Sequence, residues 1–200
     1  MKTKKLEFRK GNKKLPKSTY ILNMGSATDC PNRCNGRCQA GNLCYALKAE
    51  VQYPDVLPFR RRQALQWQSM TALEIATALL DASKRSRQHK MTAFRYNEAG
   101  DFSTQADVDK MVRVCSILTA AGVNCYGYTA STHLDLSMLI ACSQVNVSND
   151  YGDWRFDGAN RFKMVAKASG DHAVCAGDCR QCRICTDTDF GGHIIEVIKH

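Results

Sequence analysis

Short apolar runs recur along the chain, separated by longer segments in which apolar residues follow a helical period. Six runs are typical of buried strands: 19–23, 91–96, 123–129, 145–148, 161–167 and 193–199. Strands separated by helices of this length indicate right-handed crossovers between parallel neighbours. The pattern therefore predicts a single α/β domain with a largely parallel sheet.

The first of three predicted helices is long. Residues 59–88 keep a helical period, with Leu65, Leu73, Ala76 and Leu80 on one face. That face is expected to pack on the sheet.

The second and third predicted helices carry capping signals. Residues 103–121 place apolar residues at helical spacing and open with Thr104 and Asp107 as a capping pair. A short third helix is expected after Thr132, with Asp135 as its cap partner. Both helices connect consecutive predicted strands.

Composition is that of an ordinary globular protein: 44% of the 200 residues are hydrophobic and 24% are charged. The first 18 residues lack the apolar stretch that export requires, and no run reaches the roughly 18 apolar residues of a membrane span. We therefore expect a cytoplasmic protein without membrane contact. Disulfides are rare in that reducing compartment, so the eleven cysteines are predicted to be metal ligands or core residues.

The net charge of +9 is concentrated at the start of the chain. Residues 1–18 contain eight Lys and Arg residues and one acidic residue, Glu7. Such a segment attracts phosphate backbones through salt-sensitive contacts, and it is also typical of a solvated arm or an edge strand. We divide the chain into a basic N-terminal segment, 1–18, and one α/β metal-binding domain, 19–200.

Four cysteines lie close together near the end of the chain: Cys175, Cys179, Cys182 and Cys185. Their spacing is the reverse of the C-x2-C-x2-C-x3-C run of bacterial ferredoxins, whereas structural zinc sites usually combine two separate C-x2-C pairs. Unligated thiols in such a loop would oxidise readily. The spacing predicts a metal centre and favours iron–sulfur, with zinc as the alternative. We call residues 175–185 the tail loop.

A second cysteine set follows the first predicted strand: Cys30, Cys34, Cys38 and Cys44. Glycines and asparagines between them allow the tight turns needed to direct several sulfur atoms at one centre. Three ligands would leave a metal position open for a substrate and four would close the site, so Cys44 decides between the two. A zinc knuckle is again the alternative. We call residues 30–44 the head loop.

Five further residues have less specific interpretations. Cys115, Cys125 and Cys142 fall on predicted helices and a strand and are expected to be small core residues. Tyr126 and Tyr128 alternate along a predicted strand and share one face. They either line a pocket or pack half-buried.

The loop after the second predicted strand, "NEAGDF" at 97–102, is another candidate site. Loops that leave the carboxyl ends of parallel strands line one rim, so this loop and the head loop are expected to meet. Arg95, Asn97, Glu98 and Asp101 are the candidate cofactor-binding residues. A carboxylate there would bind a cationic ligand group and Arg95 would face an anionic cluster; alternatively, an Arg–carboxylate pair holds the loop together.

This order of motifs resembles the radical SAM proteins, in which a C-x3-C-x2-C loop after the first strand binds a [4Fe-4S] cluster and an acidic turn follows the second strand. Cys30 and Cys34 match the first interval, Cys38 comes one residue late, and "EAGDF" is similar to the acidic turn only in part. The resemblance implies a radical-SAM-like partial (βα) barrel with two cysteine-rich metal-binding loops.

A closer resemblance is to the gene product eighty-eight family of phage and plasmid proteins. It rests on "CYALKAE", on "FRYNEAGDF" and on the terminal cysteine cluster followed by a short strand, and it covers residues 19–200. It implies a phage or mobile-element protein that works in the cytoplasm of a bacterial host. It does not imply catalysis.

Three functions remain open on the sequence alone. The first is an iron–sulfur protein with one or two [4Fe-4S] clusters in a redox, sensing or structural role. The second is a radical SAM enzyme with the tail cluster as an auxiliary centre. The third is a zinc-stabilised module whose basic segment binds nucleic acid or a host protein. Because radical SAM chemistry needs an iron without a protein ligand and a fourth cysteine shares the head loop, we expect no S-adenosylmethionine binding.

Overall fold

One eight-stranded sheet organises the computed structural model, which describes residues 5–38, 40–148, 156–186 and 191–198. In chain order the strands are β1 (Arg9–Lys10), β2 (Thr19–Leu22), β3 (Ala93–Tyr96), β4 (Asn124–Thr129), β5 (Gln144–Ser148), β6 (Asn160–Val165), β7 (Ala173–Val174) and β8 (Ile194–Ile198). Across the sheet their order is β1-β2-β3-β4-β5-β6-β8-β7. The pairing of β1 with β2 is antiparallel and the others are parallel. The predicted α/β fold with a largely parallel sheet is confirmed, and the sheet is open.

Helices fill the connections from β2 to β5. They are α1 (Pro31–Cys34), α2 (Tyr45–Gln52), α3 (Val56–Ser69), α4 (Ala72–Arg85), α5 (Gln105–Ala120) and α6 (Ser137–Cys142). A 3-10 turn at Gly41–Leu43 precedes α2. Within the described residues, no helix has the length and apolar character that crossing a membrane requires.

The single long helix predicted over 59–88 is wrong, because the chain breaks between α3 and α4. Thr71 begins α4 with a capping box, in which its hydroxyl accepts from the backbone N–H of Glu74 and the Glu74 carboxylate accepts from the backbone N–H of Thr71. Of the face predicted for the long helix, Ala76 is buried, whereas Leu65 and Leu73 are each 64% exposed.

The other two predicted helices are confirmed as α5 and α6. Thr104 and Asp107 form a capping box at the start of α5, and Asp107 also accepts a hydrogen bond from Trp67 Nε1 (2.9 Å). Asp135 accepts from the backbone N–H of Ser137 (2.9 Å) at the start of α6. The Asp107 carboxylate therefore caps α5 and also ties that helix to α3.

The two faces of the sheet are covered differently. One face packs against α3–α6 and contributes alternate strand residues to the core: Tyr20, Leu22, Phe94, Tyr96, Cys125, Val145 and Val147. The other face carries Arg95, Tyr126, Tyr128, Asn146 and Asn160, and we call it the polar face. Because consecutive strands are neighbours, crossovers of one hand place their helices on one side. The polar face is left to be covered by loops.

The described part of the basic segment belongs to the sheet. Its strand β1 forms the edge next to β2, and its residues Leu6 and Leu15 are buried. Of the two structural interpretations offered by the sequence, the edge strand is the one that the fold adopts.

We expect Thr104→Ala to lower the free energy of unfolding by about 1 kcal/mol, because the hydroxyl that accepts from the Asp107 backbone is lost. Thr104→Ser keeps that hydroxyl and should unfold like the parent protein. Chemical denaturation of the two variants side by side measures the difference. Equal loss in both would show that the capping box does not stabilise α5.

Candidate metal centre

The tail loop crosses the polar face of the sheet and is fixed there by asparagines. Three of them, on successive strands, donate to three consecutive carbonyl oxygens: Asn160 to Ile184 (2.8 Å), Asn146 to Cys185 (2.9 Å) and Asn124 to Thr186. Asn160 also donates to Asn146 Oδ1 (3.0 Å), and both side chains are fully buried. Buried amides and carbonyls need such partners, so this asparagine row determines where the loop lies.

All four tail cysteines line one cavity on the polar face. The sheet contributes Arg95, Tyr126 and Tyr128 to its lining, and Leu15 of the basic segment completes part of the wall. The cysteine spacing predicts a metal centre in the tail loop but does not indicate where that loop lies in the fold. The structure places the tail loop against Arg95, near the end of the second predicted strand, and against Tyr126 and Tyr128 of the third.

Arg95 is buried in this lining, with 9% of its surface exposed. Its Nη2 donates to Tyr45 Oη (3.0 Å), and its Cζ lies 4.9 Å from the centre of the Tyr128 ring. Within the described residues, Nε has no hydrogen-bond partner, and neither has the buried hydroxyl of Tyr126. A guanidinium is always charged, and a buried charge is costly unless a counter-charge or hydrogen bonds compensate it.

The tail thiols influence one another electrostatically. The pKa of Cys185 is raised to about 12, chiefly by burial; a hydrogen bond with Tyr128 opposes the rise, and the other three tail cysteines contribute to it. Burial also raises the pKa of Cys179, while the nearby cations Arg95 and Lys14 oppose that rise. Two cations thus lie close to the set of four thiols.

The sulfur atoms of the four tail cysteines are not arranged as the ligands of one metal ion. Across the described ranges, no group of three or more His, Cys, Asp or Glu side chains is arranged to hold a metal ion. Cys175 is exposed and the other three tail cysteines are partly buried. The structure therefore gathers the four predicted ligands around one cavity without bringing their sulfur atoms together.

The head loop follows β2 and contacts the rim of the sheet. Cys30 precedes α1 and Cys34 ends it, with the Cys34 thiol exposed and 3.6 Å from the carbonyl oxygen of Thr28. Burial raises the pKa of Cys30 to about 12, and Asp101 and Cys38 act in the same direction. Cys30 and Cys38 thus lie near each other and near the loop 97–102, as the order of the strands predicts.

Asp101 holds this rim together. Each carboxylate oxygen accepts two hydrogen bonds: Oδ1 from Thr129 Oγ1 (2.6 Å) and the backbone N–H of Phe102 (2.8 Å), and Oδ2 from Asn32 Nδ2 (2.8 Å) and the backbone N–H of Ala130 (2.7 Å). Burial raises the pKa of Asp101, and these four hydrogen bonds oppose the rise. Asp101 thereby joins the head loop to the end of β4, and among the described residues it makes no ion pair with Arg95.

The loop 97–102 is held in an unusual backbone conformation. Asn97 has a positive φ of 53°, and both polar atoms of its buried side chain lack partners within the described residues. Gly100, with φ of 72°, comes so close to Gly25 that a Cβ there would lie 2.6 Å from the Gly25 nitrogen. The loop can follow this path because residue 100 has no side chain.

The end of the head loop reaches the same rim through Tyr45. Cys44 precedes α2, and the hydroxyl of Tyr45 donates to the carbonyl oxygen of Glu98 (2.9 Å) while it accepts from Arg95. The Glu98 carboxylate accepts from Asn12 Nδ2 (2.8 Å) of the basic segment. Tyr45 therefore links the head loop, the loop 97–102 and the polar face.

Sequence reasoning missed a buried ion pair behind the head loop. Glu50 and Arg60 pair at 2.7 Å, with side chains 1% and 5% exposed. Glu50 also accepts from the backbone N–H groups of Ala27 (2.7 Å) and Thr28 (2.8 Å), and Arg60 lies 3.8 Å from Glu98. The available signal was the stretch "CYALKAE", which places an acidic residue one helical turn from the buried Ala46.

We expect Asp101→Asn to lower the free energy of unfolding by about 2 kcal/mol, because an NH2 group would face two hydrogen-bond donors. Asp109→Asn on α5 makes the same change at an exposed carboxylate and serves as the control. Thermal unfolding of both variants measures the difference. A parent-like melting temperature for Asp101→Asn would contradict the role given to the four hydrogen bonds.

A comparison with known proteins finds a family match that includes the residues of this rim. The family model described as Gene product 88 matches residues 1–149, which include the head loop and the loop 97–102 and end before the tail loop. No curated protein and no solved structure matches the chain. Because the match spans well over half of the sequence, the chain belongs to the gene product 88 family.

Proposed function

We propose that this protein binds an iron–sulfur cluster through the four tail cysteines: Cys175, Cys179, Cys182 and Cys185. The observation that carries the proposal is the cavity in which these thiols face Arg95. That guanidinium is buried and, among the described residues, pairs with no carboxylate. A metal centre held by four thiolates is an anion, so it would supply the counter-charge that Arg95 lacks.

The residues around the cavity suit such a centre. Lys14 adds a second cation near Cys179, and the Tyr128 hydroxyl is hydrogen-bonded to the Cys185 thiol. Hydrogen bonds to ligand sulfurs and nearby charges tune the reduction potential of iron–sulfur clusters. When bound, a [4Fe-4S] cluster would supply one-electron chemistry. The chain's own residues would hold it, neutralise it and shield it with the tail loop, in a redox, sensing or structural role.

We extend the proposal to a second centre in the head loop, with Cys30, Cys34, Cys38 and Cys44 as its ligands. The proximity of Cys30 and Cys38 supports it. Asn97, Glu98 and Asp101 would surround this centre. We propose that four ligands close it.

We also infer that the scaffold is a radical-SAM-like partial (βα) barrel in a phage or mobile-element protein of the bacterial cytoplasm. Six parallel strands that lie side by side, with their numbers rising across the sheet, support this inference: β2, β3, β4, β5, β6 and β8. A second candidate function is radical SAM catalysis. The buried amide of Asn97, which has no hydrogen-bond partner among the described residues, favours it, because buried polar atoms without partners are typical of ligand sites.

A zinc-stabilised module that contacts nucleic acid or a host protein is the third candidate. Exposed cations of the basic segment support it, among them Lys5, Arg9 and Lys17. Replacing these three cations with glutamine tests the role of the charge. Deleting the segment would also remove Leu6 and Leu15, which are buried. Zinc without sulfide in the purified protein would favour this function.

We expect anaerobically purified protein to contain iron and acid-labile sulfide, and Cys182→Ser to lower both by one cluster. A serine at this position removes one of the four ligands and with it the coupling between metal binding and folding of the tail loop. Cys125→Ser replaces a buried thiol away from both loops and should keep the parent metal content. Iron and sulfide assays per chain give the comparison.

Cys34→Ser provides the matching measurement for the head loop. A loss of iron that does not add to the loss in Cys182→Ser would indicate one shared centre, and an additive loss would indicate two. Unchanged iron and sulfide in both Cys182→Ser and Cys179→Ser would overturn the assignment to the tail loop.

Arg95→Gln is expected to weaken retention of the tail cluster by about tenfold, in line with the effect of removing a group that supports metal ligands. It should also make the reduction potential more negative, because a positive charge beside the cluster favours the reduced, more anionic form. Arg95→Lys keeps the charge and should restore the potential in part. Redox titration followed by electron paramagnetic resonance measures both; a potential that does not change in Arg95→Gln would refute the role of this charge.

A further inference from the structure

The three cysteines outside the two loops come together on the helical side of the sheet. Cys115 lies on α5, Cys125 on β4 and Cys142 at the end of α6. The Cys125 thiol donates to the Cys115 carbonyl oxygen (3.8 Å), and the Cys115 thiol interacts electrostatically with the thiols of Cys125 and Cys142. Thr119 lies 3.7 Å from Cys125 Sγ and 3.3 Å from the Cys142 carbonyl oxygen. Residues that the sequence treats as separate core positions thus form one thiol cluster.

The three thiols differ in their access to solvent. Cys115 and Cys125 are buried, whereas Cys142 is partly exposed. The Cys142 thiol also contacts the carbonyl oxygens of Val112 (3.8 Å) and Leu139 (3.6 Å). A hydrogen bond from Cys115 lowers the pKa of Cys142 to about 7. Thiolates are the nucleophilic form of cysteine, so the accessible thiol of the cluster is also the activated one.

We propose that Cys142 and Cys115 form a peroxide-reactive dithiol site. In the first step, the Cys142 thiolate attacks one oxygen of hydrogen peroxide, a sulfur–oxygen bond forms, the oxygen–oxygen bond breaks and hydroxide leaves. In the second step, the Cys115 sulfur attacks the sulfenic acid, the disulfide forms, and the thiol proton leaves with the hydroxyl group as water. The two sulfurs lose two electrons in total, and peroxide accepts them.

The position of Cys125 makes it an internal control. Its thiol donates to the Cys115 carbonyl oxygen (3.8 Å), but it is buried within a central strand, between β3 and β5. Peroxide reaches the cluster through the exposed side of Cys142. The site therefore has one thiol that reacts first, one that resolves the sulfenic acid, and one that stays reduced. All three cysteines lie outside the head loop and the tail loop.

The test exposes the full-length protein, purified with its metals, to hydrogen peroxide at neutral pH. Remaining thiols are alkylated with one reagent under denaturing conditions, and disulfides are then reduced and alkylated with another. No Lys or Arg separates the three cysteines, so trypsin leaves them in one peptide. Chymotrypsin cuts after Tyr126 and Tyr128 and separates Cys142 from the other two. Mass spectrometry then assigns each cysteine.

We expect a Cys115–Cys142 disulfide with Cys125 reduced. Cys142→Ser should abolish the disulfide, Cys125→Ser should retain it, and Cys115→Ser should leave a sulfenic acid on Cys142 that dimedone traps. This last variant keeps the test decisive if Cys142→Ser fails to fold. Peroxide treatment that leaves Cys142 a thiol, or that links Cys115 to Cys125, would overturn the proposal. Iron content is assayed in the same samples, so failure of the metal assignment remains separate from failure of this one.

Discussion

A sheet whose longest crossover helices lie on one side must cover its second side in another way. Here α3–α6 pack on one face, and the polar face is left to loops. A loop that lies on a sheet brings backbone carbonyls into a buried environment, where each needs a donor. The asparagine row supplies donors to three consecutive carbonyls of 184–186. The location of the tail cysteines thus follows from the hydrogen-bonding needs of the backbone that carries them.

Two buried arginines, Arg60 and Arg95, differ in how the protein compensates their charge. Arg60 pairs with Glu50, which also caps the backbone ahead of Cys30, so this cation is compensated within the protein. Arg95 is buried to a similar degree, but its polar contacts are a phenol and an aromatic ring. Breaking one partner from a buried ion pair typically costs 3–5 kcal/mol, so a fold does not leave a cation uncompensated without a cause. The four tail thiols line the same cavity as Arg95.

Local signals predicted much of the fold, and contacts between distant residues explain what they missed. The strands, the capping box of Thr104 and the parallel order follow from periodicity and connection length. The break before Thr71 was missed because an apolar period continues across it, although T-x-x-E at 71–74 is a capping-box signal. The cysteine spacing identified both loops as candidate metal sites. It did not predict that the tail loop lies on Arg95, because that contact depends on Asn146 and Asn160, whose burial becomes evident only when the strands pair.

Arg95 is the residue at which the two cysteine loops converge. On one side it donates to Tyr45, which directly follows Cys44 of the head loop. On the other it stacks on Tyr128, whose hydroxyl is hydrogen-bonded to Cys185 of the tail loop. The family match includes the first of these loops and ends before the second. Arg95, a residue of the matched region, is therefore in contact with residues next to both cysteine loops.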